Sequence, residues 1–136
     1  MSDKPEKPFF DSSTLIYTLS KSDPRAAVAM QLVANGGVIS AQVLNEFAAV
    51  ARRKLKMSWE QVSAALQEIR SSCDAVMPLT VETHEAALRI AARYGYHIYD
   101  ALILASAIEA GCDIVYSEDM QDGQRIEGVA ICNPFR

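Results

Sequence analysis

Residues 99–110 read YDALILASAIEA, a stretch that is apolar at nearly every position and is followed by Gly111. A helix that is apolar on all sides is buried, so this stretch predicts a central helix that begins near Tyr99 and ends at Gly111. The next residues, DIVY at positions 113–116, predict a short buried strand. A buried helix that leads directly into a buried strand indicates an α/β fold in which helices cover a parallel sheet.

The rest of the chain repeats this alternation of strands and helices. Besides the strand at residues 113–116, we predict strands at residues 8–11, 37–40, 75–79 and 129–132. Helical patterns and their caps lie between them: residues 12–19, Asp23-Pro24 to Asn35-Gly36, residues 41–56, the capping box Ser58–Gln61 with the residues after it, and a helix that ends at Gly95. We therefore expect an α/β fold with a mostly parallel sheet of about five strands flanked by helices.

Length and composition limit the organisation of the chain. Its 136 residues correspond to one domain, which we place at residues 8–136 after a flexible N-terminal arm at residues 1–7. No apolar run approaches about 18 residues, so we predict no membrane span, and the N-terminus lacks the apolar core of a signal peptide. The three cysteines have neither disulfide nor zinc-site spacing, which is typical of reduced thiols in the cytoplasm.

Four acidic residues are expected at one rim of the sheet. In parallel α/β folds the sites lie outside the carboxyl ends of the strands. Asp11 ends the first strand, Asp119 follows the fourth, Asp100 begins the buried helix, and Glu46 lies in the second turn of the helix after the second strand. Each acid alone has an ordinary role as a helix cap, a turn residue or a solvated side chain. Together they would repel one another strongly unless a divalent cation lay among them, and oxygen ligands favour Mg²⁺ or Mn²⁺.

The net charge of the chain bears on its partners. Lys plus Arg is 13 and Asp plus Glu is 17, so the net charge is −4. Such a chain is a poor general binder of nucleic acid, because affinity for phosphates comes mostly from cationic side chains. A cation among clustered acids would reverse the sign of the local field.

These residues match a known family. The segments FFDSS at residues 9–13, DALILASA at residues 100–107 and SED at residues 117–119, with Glu46 between them, resemble the PIN domain, and most of all VapC-like toxins of bacterial toxin–antitoxin pairs. The resemblance runs from about Pro8 to the final residues 133–135. It implies a PIN-like three-layer sandwich and a ribonuclease that depends on Mg²⁺ or Mn²⁺.

The resemblance also implies roles for particular residues. Asp11, Glu46, Asp100 and Asp119 would be the catalytic acids that hold one or two metal ions, with Asp122 as an auxiliary ligand. Ser13 and Ser117 would orient a carboxylate or a water, although many family members have Asn at the position of Ser13. Its implied partners are an RNA substrate, an antitoxin that covers the acidic cleft, and a second copy of the chain in a homodimer.

A cluster of basic residues is a candidate RNA-binding surface. Residues 52–56 read RRKLK and hold four of the 13 basic side chains. Arg53 lies seven residues after Glu46 and so on the same helical face, where a cation could hold a phosphate near the metals. We take Arg52, Arg53 and Lys56 as candidate RNA-binding residues. The alternative is that these charges complement the C-terminal end of the helix dipole.

Other interpretations of the carboxylates fit less well. An aspartyl-phosphate receiver needs a late lysine, and the last lysine is Lys56, whereas a haloacid-dehalogenase-like phosphatase needs a second Asp at the position of Ser13. The nucleophile elbow of serine hydrolases is absent. The alternative that stays open is a PIN-like module that binds RNA or protein without cleaving it.

Overall fold

The computed structural model describes residues 6–136. Within that range the chain forms six strands: β1 (Pro8–Phe10), β2 (Val38–Ser40), β3 (Ala75–Met77), β4 (Ile114–Tyr116), β5 (Arg125–Ile126) and β6 (Val129–Cys132). The helices are α1 (Ser12–Leu15), which continues into a 3₁₀ turn (Ile16–Leu19), then α2 (Pro24–Ala34), α3 (Ala41–Arg53), α4 (Trp59–Ser72), α5 (Val81–Tyr94) and α6 (Ile98–Glu109).

All six strands form one sheet in the order β3-β2-β1-β4-β6-β5. Five of them are parallel, and only β5 runs antiparallel, against β6. The order reverses at β1, because the chain moves outward from β1 through β2 to β3 and then returns to place β4 on the other side of β1. The predicted α/β fold with a mostly parallel sheet flanked by helices is confirmed.

Helix α6 and the strands beneath it form the centre of the core. All but the ends of α6 is buried, and the helix packs on β2, β4 and β6. Phe9 and Phe10 of β1, Phe47 of α3 and Ile103 of α6 are among the largest side chains with no exposed surface. The apolar stretch that predicted a buried helix thus lies at the centre of the fold, as its composition requires.

Local sequence signals set most helix boundaries. Asp23 caps α2 by accepting from the backbone N–H of Arg25, and Ser58 and Gln61 form the reciprocal capping box at the start of α4. Gly95 ends α5 in the left-handed conformation, with φ of 78°. These boundaries agree with those predicted from the sequence.

Two elements differ from the sequence prediction. The sheet has a sixth strand, β5, which pairs with β6 across a two-residue turn at Glu127 and Gly128, both with positive φ. Helix α3 ends at Arg53 instead of residue 56, because Lys56 takes a left-handed backbone conformation with φ of 56°.

We predicted an N-terminal arm at residues 1–7, and its residues 1–5 lie outside the described residues. Lys7 is attached to the loop before β4, since its backbone N–H donates to Asp113 Oδ2 at 3.1 Å and its Nζ donates to the carbonyl of Ala110 at 2.6 Å. Among residues 6–136, no helix has the length and apolar character that crossing a bilayer requires.

Candidate functional site

The central pair of strands creates the candidate site. The connections that follow β1 and β4 leave the sheet in opposite directions, so a crevice opens outside their carboxyl ends. Asp11 directly follows β1 and Ser117 directly follows β4. The backbone N–H of Asp11 donates to the carbonyl of Tyr116 at 3.0 Å, which continues the pairing of the two strands into the crevice.

Asp11 is a buried carboxylate held by hydrogen bonds. Only 2% of its surface is exposed. Oδ1 accepts from the backbone N–H of Ser12 at 2.7 Å, and Oδ2 accepts from Ser117 Oγ at 2.7 Å and from Ser13 Oγ at 3.2 Å. Burial raises the pKa of Asp11 to about 6; the bond from Ser117 opposes that rise, and the charges of Asp100 and Asp119 add to it.

The same two serines order the loop after β4. Ser117 Oγ accepts from the backbone N–H groups of Asp119 and Met120, both at 3.2 Å. Ser13 Oγ accepts from the backbone N–H of Glu118 at 3.0 Å. Each hydroxyl therefore donates to Asp11 and accepts from the loop that carries Asp119. This is the orienting arrangement expected of Ser13 and Ser117, whose part in a reaction remains a prediction.

Glu46 and Asp100 belong to the same electrostatic environment. Burial, together with the charges of Asp11, Asp100 and Asp119, raises the pKa of Glu46 to about 7. Burial and the charge of Asp119 also raise the pKa of Asp100, which lies in the first turn of α6. The charges of the four predicted acids thus act on one another.

The carboxylate oxygens of these acids are the type of donor that Mg²⁺ and Mn²⁺ prefer. Glu46 Oε2 is buried and has no hydrogen-bond partner among residues 6–136, so it is free to bind a cation. Within residues 6–136, however, no three His, Cys, Asp or Glu side chains are gathered closely enough to form a ready-made ligand cluster. The acids influence one another's pKa without forming a closed cluster.

Asp122 has bonds of its own. Its Oδ1 accepts from the backbone N–H of Asn133 at 2.8 Å, and its Oδ2 lies 4.0 Å from Arg136 Nη1. These bonds fasten the C-terminal segment. The auxiliary metal role of Asp122 remains a prediction, and a metal bound there would compete with the contacts to Asn133 and Arg136.

A cleft of about 320 Å³ adjoins Asp119, whereas Asp11, Glu46 and Asp100 are not among the residues that line it. Helix α1 and its 3₁₀ turn form part of its wall, with Ser12, Ser13 and Tyr17, and the end of α3 and the loop after β4 complete it. Asp119 faces this cleft, and so does Lys54, the first residue after α3. We call it the Asp119 cleft.

The basic cluster is divided by the end of α3. Arg52 Nη1 donates to the carbonyl of Met57 at 2.9 Å, and its guanidinium lies over the ring of Trp59, 4.5 Å from the centroid. Arg53 and Lys56 are exposed and do not line the Asp119 cleft. The sequence argument passed over Lys54, although it lies seven residues after Phe47 and so shares the helical stripe that lines the cleft.

A second network that sequence reasoning missed braces the loop after β4. Tyr17 Oη donates to Glu118 Oε1 at 2.6 Å, and Arg25 Nη1 lies 3.4 Å from Glu118 Oε2. Arg25 also stacks on the Tyr17 ring, 4.4 Å from its centroid, and forms a salt bridge with Asp23 at 2.8 Å. The bond to Glu118 raises the pKa of Tyr17 to about 12. These partners are roughly a hundred residues apart in sequence, so no local pattern indicates them.

Fold and site together define a class: an open α/β domain with a carboxylate-lined cleft at the switch point of its sheet. The sequence matches the family model of the PIN domain over residues 9–124, so the chain belongs to the PIN domain family. The predicted membership is thereby confirmed. A comparison with curated proteins found no match.

Experimentally determined structures have the same fold. VapC20 from Mycobacterium tuberculosis, described as a toxin that cleaves the sarcin–ricin loop, is 22% identical, with a TM-score of 0.68 over 83% of this chain and 90% of that one. DNA-bound VapBC from Salmonella typhimurium is 23% identical, with a TM-score of 0.67 over 93% and 97%. A toxin–antitoxin complex from Klebsiella pneumoniae is 20% identical, with a TM-score of 0.69 over 94% and 98%. The expected likeness to VapC-like toxins is therefore confirmed at the level of the fold.

Proposed function

We propose that this chain is a ribonuclease, active with Mg²⁺ or Mn²⁺, and the toxin of a toxin–antitoxin pair. The observation that carries the proposal is the buried carboxylate of Asp11, fixed by three hydrogen bonds at the switch point of the sheet and surrounded by the charges of Glu46, Asp100 and Asp119. Burying an acid among like charges is unfavourable, and sites of this kind are usually functional.

The chemistry would be hydrolysis of a phosphodiester bond. A bound Mg²⁺ or Mn²⁺ would supply an acidified water and would stabilise negative charge on the phosphate. Asp11 and Asp100 are our candidates for direct ligands, and Glu46 and Asp119 would bind directly or through water. Ser13 and Ser117 hold Asp11 and the Asp119 loop in one fixed arrangement. No side-chain nucleophile is required.

The structural relatives support the role in a toxin–antitoxin pair. One is described as a toxin that cleaves an RNA loop, and two are complexes of a toxin with its antitoxin. We extend this to an RNA substrate, an antitoxin partner, action in the cytoplasm, and a homodimer.

The decisive experiment is RNA cleavage by the purified chain, freed of any bound partner. Total RNA and single-stranded oligonucleotides are incubated with Mg²⁺, with Mn²⁺ or with EDTA. The Asp100→Asn chain tests the site, and the Glu85→Gln chain, altered at an exposed acid of α5, is the matched control. We expect cleavage that requires a metal, is lost in Asp100→Asn and is kept in Glu85→Gln.

Two results would contradict the proposal. Full activity of Asp100→Asn would show that the acids on this rim are not the catalytic site. Absence of both cleavage and metal binding in the unmodified chain, measured by calorimetry with Mn²⁺, would favour the module that binds RNA or protein without cleaving it.

A further inference from the structure

The Asp119 cleft combines one cation with Asp119, one of the four candidate acids. Its volume, about 320 Å³, lies at the lower end of the range of roughly 300–1,000 Å³ that is usual for small-molecule sites. Among the described residues that line it, Lys54 is the one cation, and Glu118 and Asp119 are the acids. The remaining lining is divided between hydroxyl groups such as those of Ser12 and Ser13 and the apolar surface of α3.

The charge of Lys54 is available to a ligand. In the part of the chain that the structure describes, no carboxylate forms an ion pair with Lys54, whereas Glu118 is bonded to Tyr17 and Arg25. The backbone of Lys54 is fixed, because its N–H donates to the carbonyl of Val50 at 2.8 Å as the last turn of α3 closes. Lys54 is therefore an exposed lysine on a fixed backbone position that lines the cleft.

Lys54, unlike the other members of the basic cluster, reaches the cleft because it continues the helical stripe of Phe47 and Val50. Met57 N–H returns to the carbonyl of Ala51 at 3.2 Å, and Lys56 has a left-handed backbone. Lys54 and Leu55 line the cleft, and Lys56 and Met57 beyond them do not. Arg52 instead donates to the Met57 carbonyl, and its guanidinium lies over the Trp59 ring.

We propose that Lys54 binds a backbone phosphate of the RNA substrate in the Asp119 cleft. This inference rests on the ribonuclease function proposed above. A lysine ammonium is a compact point charge that binds phosphate oxygens, and contacts of this kind fix the register of a nucleic acid without reading its sequence. The ligand class is a phosphodiester of single-stranded RNA. Lys54 thus sets which phosphate of the strand lies at the acidic rim.

The test measures RNA binding separately from cleavage. A labelled single-stranded RNA oligonucleotide is titrated with the full Asp100→Asn chain, which should leave the RNA intact, across a series of salt concentrations. The same titration is run with three double variants, in which Asp100→Asn is combined with Lys54→Gln, Lys54→Arg or Lys21→Gln. Lys21 is the matched control, because it is an exposed lysine that does not line the Asp119 cleft.

We expect Lys54→Gln to reduce the slope of log affinity against log salt concentration by about 0.7, as the loss of one phosphate contact to a single strand predicts. The corresponding loss of affinity is about fivefold at about 0.1 M salt. Lys54→Arg should keep most of the affinity and slope. Lys21→Gln should leave both close to those of the Asp100→Asn chain. In the chain with an intact Asp100, Lys54→Gln should raise KM more than it lowers kcat.

Equal effects of Lys54→Gln and Lys21→Gln would overturn the inference, because they would show a general effect of net charge. An unchanged slope in Lys54→Gln would also overturn it. In both cases metal-dependent cleavage by the unmodified chain would leave the proposed function standing. If the unmodified chain does not cleave RNA and the Asp100→Asn chain does not bind it, the proposed function fails and the inference fails with it.

Discussion

Ser117 Oγ donates to Asp11 Oδ2 at 2.7 Å, although the two residues are 106 positions apart in the sequence. Both side chains are buried, and they follow the two central strands of the sheet. The same hydroxyl accepts from the N–H groups of Asp119 and Met120. One serine therefore joins the buried acid to the loop that carries an exposed acid, and the geometry of the rim depends on it.

Replacing Ser117 by alanine should destabilise the fold and loosen the site. The change removes a donor from a buried carboxylate and an acceptor from two N–H groups, and unsatisfied buried groups cost about 1–3 kcal/mol each. We expect a loss of about 2 kcal/mol or more in the free energy of unfolding, measured by urea denaturation. The pKa of Asp11 should rise above its value of about 6, because Ser117 opposes the effect of burial.

Ser106 supplies the control for this substitution. It is a buried serine of α6 whose Oγ has no hydrogen-bond partner in the described part of the chain. Ser106→Ala removes a hydroxyl of the same size but no bond, so stability should stay the same or rise by about 1 kcal/mol. Equal losses in the two variants would show that the bonds of Ser117 contribute nothing specific.

The metal-free protein should lose stability as the pH rises from about 3.8 to about 7. Asp11 and Glu46 have folded-state pKa values of about 6 and about 7, above their ordinary values of 3.8 and 4.5. The folded chain therefore binds more protons than the unfolded chain in this window, and the free energy of unfolding falls with rising pH. The pKa of Asp23 is lowered by Arg25, so its stabilising contribution is lost only below this window.

The size of this effect can be bounded for Asp11, which is almost fully buried. A rise in pKa from 3.8 to about 6 corresponds to about 3 kcal/mol of stability lost across the window. Melting temperatures in EDTA should therefore be higher near pH 5 than near pH 8. Glu46→Gln should flatten the upper part of the curve. A melting temperature that rises steadily from pH 5 to pH 8 would contradict the raised pKa values of Asp11 and Glu46.

The sequence predicts most of the fold because its signals are local. The apolar run of α6, the Asp23 cap and the Ser58 capping box each act within a few residues, and all three appear where they were expected. The end of α3 was misplaced because Arg-Lys-Leu-Lys favours a helix, while the actual end depends on Met57 N–H bonding back to Ala51. Strand β5 has two residues, too few to show a period.

The candidate site was predictable only where topology decides it. Asp11 and Asp119 follow neighbouring parallel strands, so the strand order alone brings them to one rim. Lys54 lies on the helical stripe of Phe47 and Val50, but only the packing of α1 and of the loop after β4 against that stripe makes it part of a cleft. Contacts such as that of Tyr17 with Glu118 depend on how distant side chains pack, which a single sequence does not reveal.

The hydroxyl of Tyr17 should have a pKa that depends on Glu118. Its hydrogen bond to the Glu118 carboxylate is the largest cause of the rise to about 12. Glu118→Gln removes the charge and keeps the size of the side chain, so the pKa of Tyr17 should fall toward its ordinary value of 10.0. Ultraviolet difference titration measures this, with Tyr17→Phe used to assign the signal. An unchanged titration would mean that the two side chains do not meet in solution.

Divalent metal should stabilise the folded chain, and Asp100→Asn should weaken that effect. Binding to the folded state alone at about a hundred times Kd adds about 2.7 kcal/mol to the free energy of unfolding. Without metal, Asp100→Asn should raise the melting temperature, because it relieves repulsion from Asp119. Adding Mn²⁺ should raise the melting temperature of Asp100→Asn less than that of the unmodified chain or of Glu85→Gln. A lower melting temperature of metal-free Asp100→Asn would show that this acid is structural.

The close approach of Gly37 to Phe10 should make Gly37→Ala destabilising. A Cβ at position 37 would lie 2.5 Å from Phe10 Cε2 and 3.0 Å from the carbonyl of Pro8, and the Phe10 ring is fully buried. We expect a loss of about 3 kcal/mol or more, since overpacking a core costs about 1–3 kcal/mol and the backbone of Gly37 adds strain. Urea denaturation measures the loss. Gly111→Ala, with positive φ but open space around the Cβ, should cost about 1–2 kcal/mol.

The same substitution should also weaken metal binding, because Phe10 lies directly before Asp11. Its ring stacks on Tyr116, with centroids 6.0 Å apart, and the carbonyl of Tyr116 accepts from the backbone N–H of Asp11. A shift of Phe10 therefore moves the acid relative to the loop after β4. Calorimetry with Mn²⁺ should show a lower affinity for folded Gly37→Ala than for Gly111→Ala. Equal affinities would mean that β1 tolerates the displacement without moving Asp11.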